Sequence, residues 1–171
     1  MELFTEPNIY QLLGCFRHDL LNELQLLLGH IQMGRSRDVI CGDVEKMVTY
    51  IQAVGSLFAC KDDELATLLW SWQRYADQRD IDFQVAIEPL LEPINDEKRH
   101  ALLRLGNSIL TEVSQLGADE RFMYISVSPI SPQLLLKVAP LAKDSPTLAL
   151  AASLGWQVER TTVDWRYWSV H

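Results

Sequence analysis

The chain has 171 residues, of which 48% are hydrophobic and 22% charged, enough for one domain or two small ones with a packed core and arguing against wholesale disorder. Its formal net charge of -8 and sequence pI of about 4.9 argue against a general nucleic-acid binder, although a local basic patch stays compatible with them. No apolar run approaches the roughly 18 residues that cross a bilayer, and the opening MELFTEPNIY has neither a basic start nor an apolar core. No membrane partner and a cytoplasmic location are therefore expected.

The predicted elements begin with a long helix over 6–33. Thr5 is its expected N-cap and Pro7 sits in the first turn, where a missing N–H costs nothing. Leu13, Phe16, Leu20, Leu24, Leu27 and Ile31 recur in steps of three or four. GRSRD then turns the chain. A second helix over 37–59 carries Ile40, Val44, Met47, Ile51, Val54 and Phe58 in alternating steps of four and three, a heptad seam weakened locally by Gly42 and Gly55. Two long helices and a short turn make an antiparallel hairpin. Such a hairpin completes its core most economically by pairing with a second copy in a four-helix bundle.

After Lys61 the texture changes. An amphipathic helix capped by Asp62 or Asp63 is expected over 62–80 and a strand over 81–88. A helix with N-cap Asn95 and terminating Gly117 follows over 95–117. Strands at 121–129 and 133–140 read as a pair joined by a turn at ISP. A short helix over 145–155 and a closing strand or hairpin over 156–171 end the chain. The fold class is α+β, an N-terminal hairpin domain (1–60) followed by an α/β domain (61–171) with an antiparallel sheet and helices on one face. The tryptophans, Trp70, Trp72, Trp156, Trp165 and Trp168, are expected to fill the second core.

The first helix contains one oddity, Arg17-His18-Asp19 in a leucine-rich run. On a helical wheel the apolar residues, Leu28 among them, fall opposite His18, while Gly14, Cys15, Asn22, Gln25 and Gly29 surround it. His18 is therefore expected in solvent on a face kept open by two glycines. A neutral imidazole is common near pH 7 and is a competent nucleophile. Phosphoryl transfer asks little of an acceptor beyond aim and nearby charge neutralisation. Arg17 is the candidate for neutralising phosphate, Asp19 for orienting the ring or sharing its proton, and Asn22 and Gln25 for meeting a docked partner. His30, beside Glu23, and His100, on a solvated face, carry no such pattern, and His171 is terminal. The three cysteines, Cys15, Cys41 and Cys60, match no zinc or CxxC spacing and are expected to be reduced thiols. A metal phosphohydrolase of the HD type would need further His and Asp ligands, and no such pattern is present.

The string FRHDLLNELQLLLGHIQMG resembles the phosphoacceptor helix of the sporulation initiation phosphotransferase B family and the dimerisation helix of citrate- and fumarate-type sensor histidine kinases. The shared pattern runs from Arg17, His18 and Asp19 through Asn22, Leu24 and Gln25 to Gly29. The order of the remaining elements fits the same family. The resemblance implies a homodimer with a central four-helix bundle and a C-terminal domain shaped like a degenerate kinase ATPase domain. It implies that His18 takes a phosphoryl group from the aspartate of one response-regulator receiver and passes it to another. No cofactor is expected on this chain, any Mg2+ being supplied by the receiver.

LRLGNSILTEVSQLG looks like a worn version of the Asn-rich helix of such ATPase domains. Asn107 matches its first asparagine, but the magnesium-binding asparagine falls at Thr111 and the neighbouring acidic position at Leu110. No DxGxG or GxGxG survives, and a nucleotide-cradling loop needs such glycines. ATP-dependent autophosphorylation is not expected. Two rival readings are a non-catalytic receiver-binding regulator and a degenerate sensor kinase that still uses ATP.

Overall fold

The computed structural model describes residues 9–88, 92–127, 134–138, 141–142, 144–160 and 165–169. The expected cap Thr5, Pro7, the turn at ISP and His171 lie outside them, as do the side chains of Trp165 and Trp168. The chain is α+β, in the order α1 (Ile9–Gln32), α2 (Arg37–Phe58), α3 (Asp63–Asp77), β1 (Asp82–Ile87), α4 (Asp96–Val113), β2 (Phe122–Val127), β3 (Leu134–Val138), α5 (Pro146–Ser153), β4 (Trp156–Arg160) and β5 (Trp165–Ser169). Among the described residues, no helix is long and apolar enough to cross a membrane.

Helix α1 has 24 residues, about 36 Å at 1.5 Å per residue. It ends in two backbone bonds that close around Gly34, Arg35 N–H to His30 O at 3.0 Å and Gly34 N–H to Ile31 O at 3.0 Å. Gly34 has φ +64°, the left-handed turn that this closure requires. The chain then reverses into α2. His30 Nδ1 and Asp43 Oδ2, 2.6 Å apart, join the two helices near this turn and fix their register. His30 is thus a paired histidine, although its partner is Asp43 rather than the nearby Glu23.

Only half of the apolar arc expected on α1 is used within the chain. Leu12 is buried and Phe16, Leu20 and Leu27 are half-buried, whereas Leu13, Leu24, Leu28 and Ile31 remain 44–54% exposed. On α2 the seam divides in the same way. Val54 is buried and Ile40, Met47 and Phe58 are half-buried, while Val44 and Ile51 are exposed, as is Val48 outside the seam. A hairpin covered on one side by α3 has enough neighbours for one flank only.

Helix α3 departs from the amphipathic reading, because it lies between the hairpin and the second core. Ten of its 15 residues are buried, including Thr67 and Ser71. Their hydroxyls are satisfied by their own helix, donating to Asp63 O and Leu68 O. Asp62, itself buried, accepts from Leu65 N–H and from Ile94 N–H, both at 2.9 Å. One carboxylate thereby caps α3 and ties down the segment that leads into α4.

The sheet is mixed rather than antiparallel, in the order β1-β2-β3-β5-β4. β1 and β2 run parallel, Val85 opposite Ile125, and the other neighbours run antiparallel. A strand, an 18-residue helix and a strand form a crossover, which returns the chain in the same direction. Met123, Ile125 and Val127 alternate with half-exposed residues and pair with Val138, Leu136 and Leu134, so one face is buried throughout. Helices α3, α4 and α5 contact β1, β2 and β4. α4 stops at Val113, four residues before Gly117, because its last turn tightens into short-range bonds such as Leu116 N–H to Val113 O. Asn95 caps its start as expected, accepting from Lys98 N–H at 2.8 Å.

Trp72 is fully buried in this second core and lies directly against Gly106 of α4. A Cβ at Gly106 would stand 2.1 Å from the Trp72 ring. Gly106→Ala should therefore lower stability by about 1–3 kcal/mol through overpacking, against the roughly 1 kcal/mol that alanine gains in a free helix. Chemical denaturation checks this, and Trp72→Phe should recover part of the loss in the double variant.

Candidate active site

The site is built from three helices held by four aromatic rings. Phe16 of α1 meets Tyr50 of α2 at 5.6 Å and Trp70 of α3 edge-on at 5.7 Å. Phe58 of α2 meets Trp70 edge-on at 6.0 Å. These are favourable offset and T-shaped geometries. Trp70, 1% exposed, thus packs against the hairpin rather than filling the second core with Trp72. The two tryptophans are two residues apart on α3, about 200° around the helix, and so serve opposite sides.

His18 stands half a turn beyond Phe16, on the other side of α1, with its side chain 72% exposed. That is the solvent position expected of it. Its Nδ1 has two neighbours, Asp19 Oδ1 at 3.4 Å and Asn22 Nδ2 at 3.2 Å. A Cβ built at Gly14, one turn before His18, or at Gly29, three turns after it, would meet nothing within 4 Å, so the helix face that carries His18 is open at both places.

Asp19 has a second partner that no local pattern announces. Its Oδ2 accepts a hydrogen bond from Nη1 of Arg74, one turn along α3 from Trp70. Burial raises the Asp19 pKa, but the hydrogen bonds and charges of Arg74 and His18 outweigh it and hold the carboxyl below its ordinary value. For Arg74, burial acts to lower the pKa, and the bond and charge of Asp19 reverse this and raise it. The pair lies beside a cleft of about 520 Å³ whose lining includes Asp19, Glu23, Lys46, Tyr50 and Arg74. Burial pushes the Tyr50 hydroxyl up.

Of the residues singled out in the sequence, the structure brings His18, Asp19 and Asn22 together. Gln25 is exposed on the same helix, two turns from His18. Arg17 is also exposed, but a heptad step before Leu24 and two before Ile31, which puts it on the free apolar arc rather than beside Asp19. The guanidinium next to the His18-Asp19 pair is that of Arg74, 55 residues away in sequence. Cys15 and Cys41 are exposed and Cys60 is buried, all as free thiols.

The residues that matched an ATPase Asn-rich helix have structural work. Asn107 Oδ1 accepts the indole N–H of Trp72 at 2.8 Å. Leu110 is fully buried. Thr111 donates its hydroxyl to the Asn107 carbonyl of its own helix at 2.7 Å. Glu112, the next residue, accepts from Ser145 Oγ at 2.6 Å and Thr147 N–H at 3.1 Å, fastening the start of α5. Among the described residues, no group of three or more His, Cys, Asp and Glu is placed to hold a metal ion.

No family model and no curated protein matches the chain. Among solved structures it is similar to one described as a bacterial phosphotransferase, with TM-score 0.42 and 14% identity over 96% of this chain and 99% of that one. It is also similar to the Acinetobacter baumannii histidine kinase AdeS, with TM-score 0.37 and 12% identity over 88% of this chain and 94% of that one.

Proposed function

We propose that the chain is a dimeric histidine phosphotransferase of a phosphorelay, moving a phosphoryl group between receiver-domain aspartates through His18. The observation that carries this reading is an imidazole left 72% exposed on a long helix, with its Nδ1 flanked by a carboxylate and an amide. That arrangement turns Nε2, on the opposite side of the ring, toward an incoming partner. The open space over Gly14 and Gly29 supports approach by a macromolecule, since the chain's own packing does not require glycine there.

The step is an in-line displacement. The Nε2 lone pair attacks the phosphorus of the receiver's aspartyl phosphate. The N–P bond forms as the P–O bond breaks, and the receiver's carboxylate leaves with the electron pair. The ring takes up positive charge while Nδ1 keeps its proton, and the ionised Asp19 offsets that charge. Reversal against a second receiver regenerates the neutral imidazole. Magnesium, where needed, belongs to the receiver in this reading.

The free apolar flank supports a second copy as the partner of the hairpin. Leu24, Leu28 and Ile31 of α1 and Val44, Val48 and Ile51 of α2 are exposed at heptad-like spacing, as the seam of a four-helix bundle requires. Leu24→Glu with Val48→Glu should convert a particle of twice 19.6 kDa to one of 19.6 kDa, as read by light scattering. A monomeric wild type would remove the bundle from the proposal.

The functional test is transfer of label from a phosphorylated receiver domain of the same organism, with ATP removed. Wild type should take up label. His18→Ala should take up none while keeping its dimer and melting temperature, because His18 lies off both packed faces. Binding without label on the wild type would favour a docking regulator instead. Gly29→Leu should melt no lower than wild type, gaining up to about 0.8 kcal/mol of helix propensity, yet it should be labelled at least about tenfold more slowly because the docking face is filled.

A further inference from the structure

Arg74 joins α3 to the carboxylate beside His18. It lies in the helix that opens the second domain, yet it bonds the carboxylate next to the proposed acceptor in the first. Its side chain is only 20% exposed, and that of Asp19 is 39% exposed, so the contact is sheltered mainly from the Arg74 side.

The two oxygens of Asp19 are divided. Oδ2 is held by Arg74, and Oδ1 faces His18 Nδ1. Asn22 faces the same nitrogen. An ionised carboxylate can only accept a hydrogen bond, whereas an amide can present oxygen or NH2 by a half-turn. With the amide as placed, Asn22 Nδ2 donates to an unprotonated Nδ1, which leaves Asp19 without a donor; a half-turn of the amide lets its oxygen and Asp19 Oδ1 share one proton on Nδ1, the one arrangement that serves both neighbours. In that tautomer Nε2 carries a free lone pair. In water the histidine side chain favours the other tautomer, in which Nε2 carries the proton and has no free lone pair with which to attack phosphorus. The bias must therefore come from Asp19, and it requires that Asp19 be both charged and aimed.

We infer that Arg74 is a positioning residue that anchors Asp19 so that His18 adopts the Nδ1–H tautomer, leaving Nε2 free to receive the phosphoryl group. This inference rests on the reading of His18 as the acceptor, but its structural half stands without it. The direction of the Asp19 pKa agrees, since the hydrogen bonds and charges of Arg74 and His18 overcome the effect of burial and keep the carboxyl ionised. The aromatic packing of Trp70 against Phe16 and Phe58 supplies the rigidity, because Arg74 is one turn from Trp70 and Asp19 is three residues from Phe16. The second domain would then help to set the chemical state of the acceptor without touching the reacting atoms.

The test is a double-variant cycle read in two ways. Full-length protein labelled with 15N-histidine gives the His18 tautomer directly from the shifts of Nδ1 and Nε2, with no receiver present. Wild type should show Nδ1–H. Arg74→Gln, Asp19→Asn and the double variant should all move to Nε2–H, with Arg74→Gln adding nothing once Asp19 is gone. Transfer from a receiver phosphorylated with acetyl phosphate should fall about tenfold in Arg74→Gln, the rate equivalent of one charge-assisted hydrogen bond. Adding Arg74→Gln to Asp19→Asn should cause no further fall. Arg74→Lys, which keeps the cation and serves if Arg74→Gln does not fold, should retain the Nδ1–H tautomer.

A wild-type tautomer of Nε2–H would overturn the inference. So would Nδ1–H persisting in Arg74→Gln, or a loss of transfer from Arg74→Gln that is equally large with and without Asp19→Asn. A wild type that shows the tautomer cycle but accepts no phosphoryl group would support the positioning role and sink the phosphotransferase reading instead.

Discussion

The contact on which the arrangement depends is the packing of Trp70 against Phe16 and Phe58. A buried indole contributes on the order of 3–5 kcal/mol when judged by its removal. Here it also serves as a joint, because it belongs to α3 while its partners belong to the hairpin. Fixing Trp70 fixes the rotation and height of α3 against α1. The position of Arg74 relative to Asp19 then follows from helix geometry, without a loop that could drift. The same rotation directs Trp72 away, into the opposite core against Gly106 and Asn107.

Helix α1 consequently has three faces with different work. One packs toward α2 and α3 through Leu12 and Phe16. One is apolar and open, with Leu24, Leu28 and Ile31 exposed. One is small and polar, and carries His18 between Gly14 and Gly29. Burying the open face is worth about 25 cal/mol per Å² of apolar surface, which gives a second copy a reason to bind there. The polar face has no such demand from the rest of the chain, which suits the encounter proposed for it.

Much of this is readable in the sequence, and the limits have physical causes. The period of apolar residues locates α1 and α2, the cap Asn95 marks the start of α4, and of the two caps expected for α3 it is Asp62 that accepts the bond. The exposure of His18 follows from its place opposite the leucines. The parallel pairing of β1 with β2 is implicit in the strand–helix–strand order, but alternation within each strand does not distinguish it from the antiparallel sheet expected. The partner of Asp19 is not readable, because contact between residues 19 and 74 depends on how two helices pack. Arg17, expected to neutralise phosphate, is close in sequence but stands two residues from Asp19, about 200° around the helix. The spacing of Trp70 and Trp72 does hold a clue, since two residues so placed on a helix cannot serve one core face.

In the proposed reading, packing beneath α1 leaves Nε2 of His18 as the reacting atom of a phosphoryl carrier. The measurement that meets this claim most directly is 31P NMR of the wild-type protein after exposure to a phosphorylated receiver, with the modified peptide mapped by mass spectrometry. The account predicts a single phosphoramidate on His18, linked through Nε2. A phosphoryl group linked through Nδ1, or carried by any other residue, would contradict it.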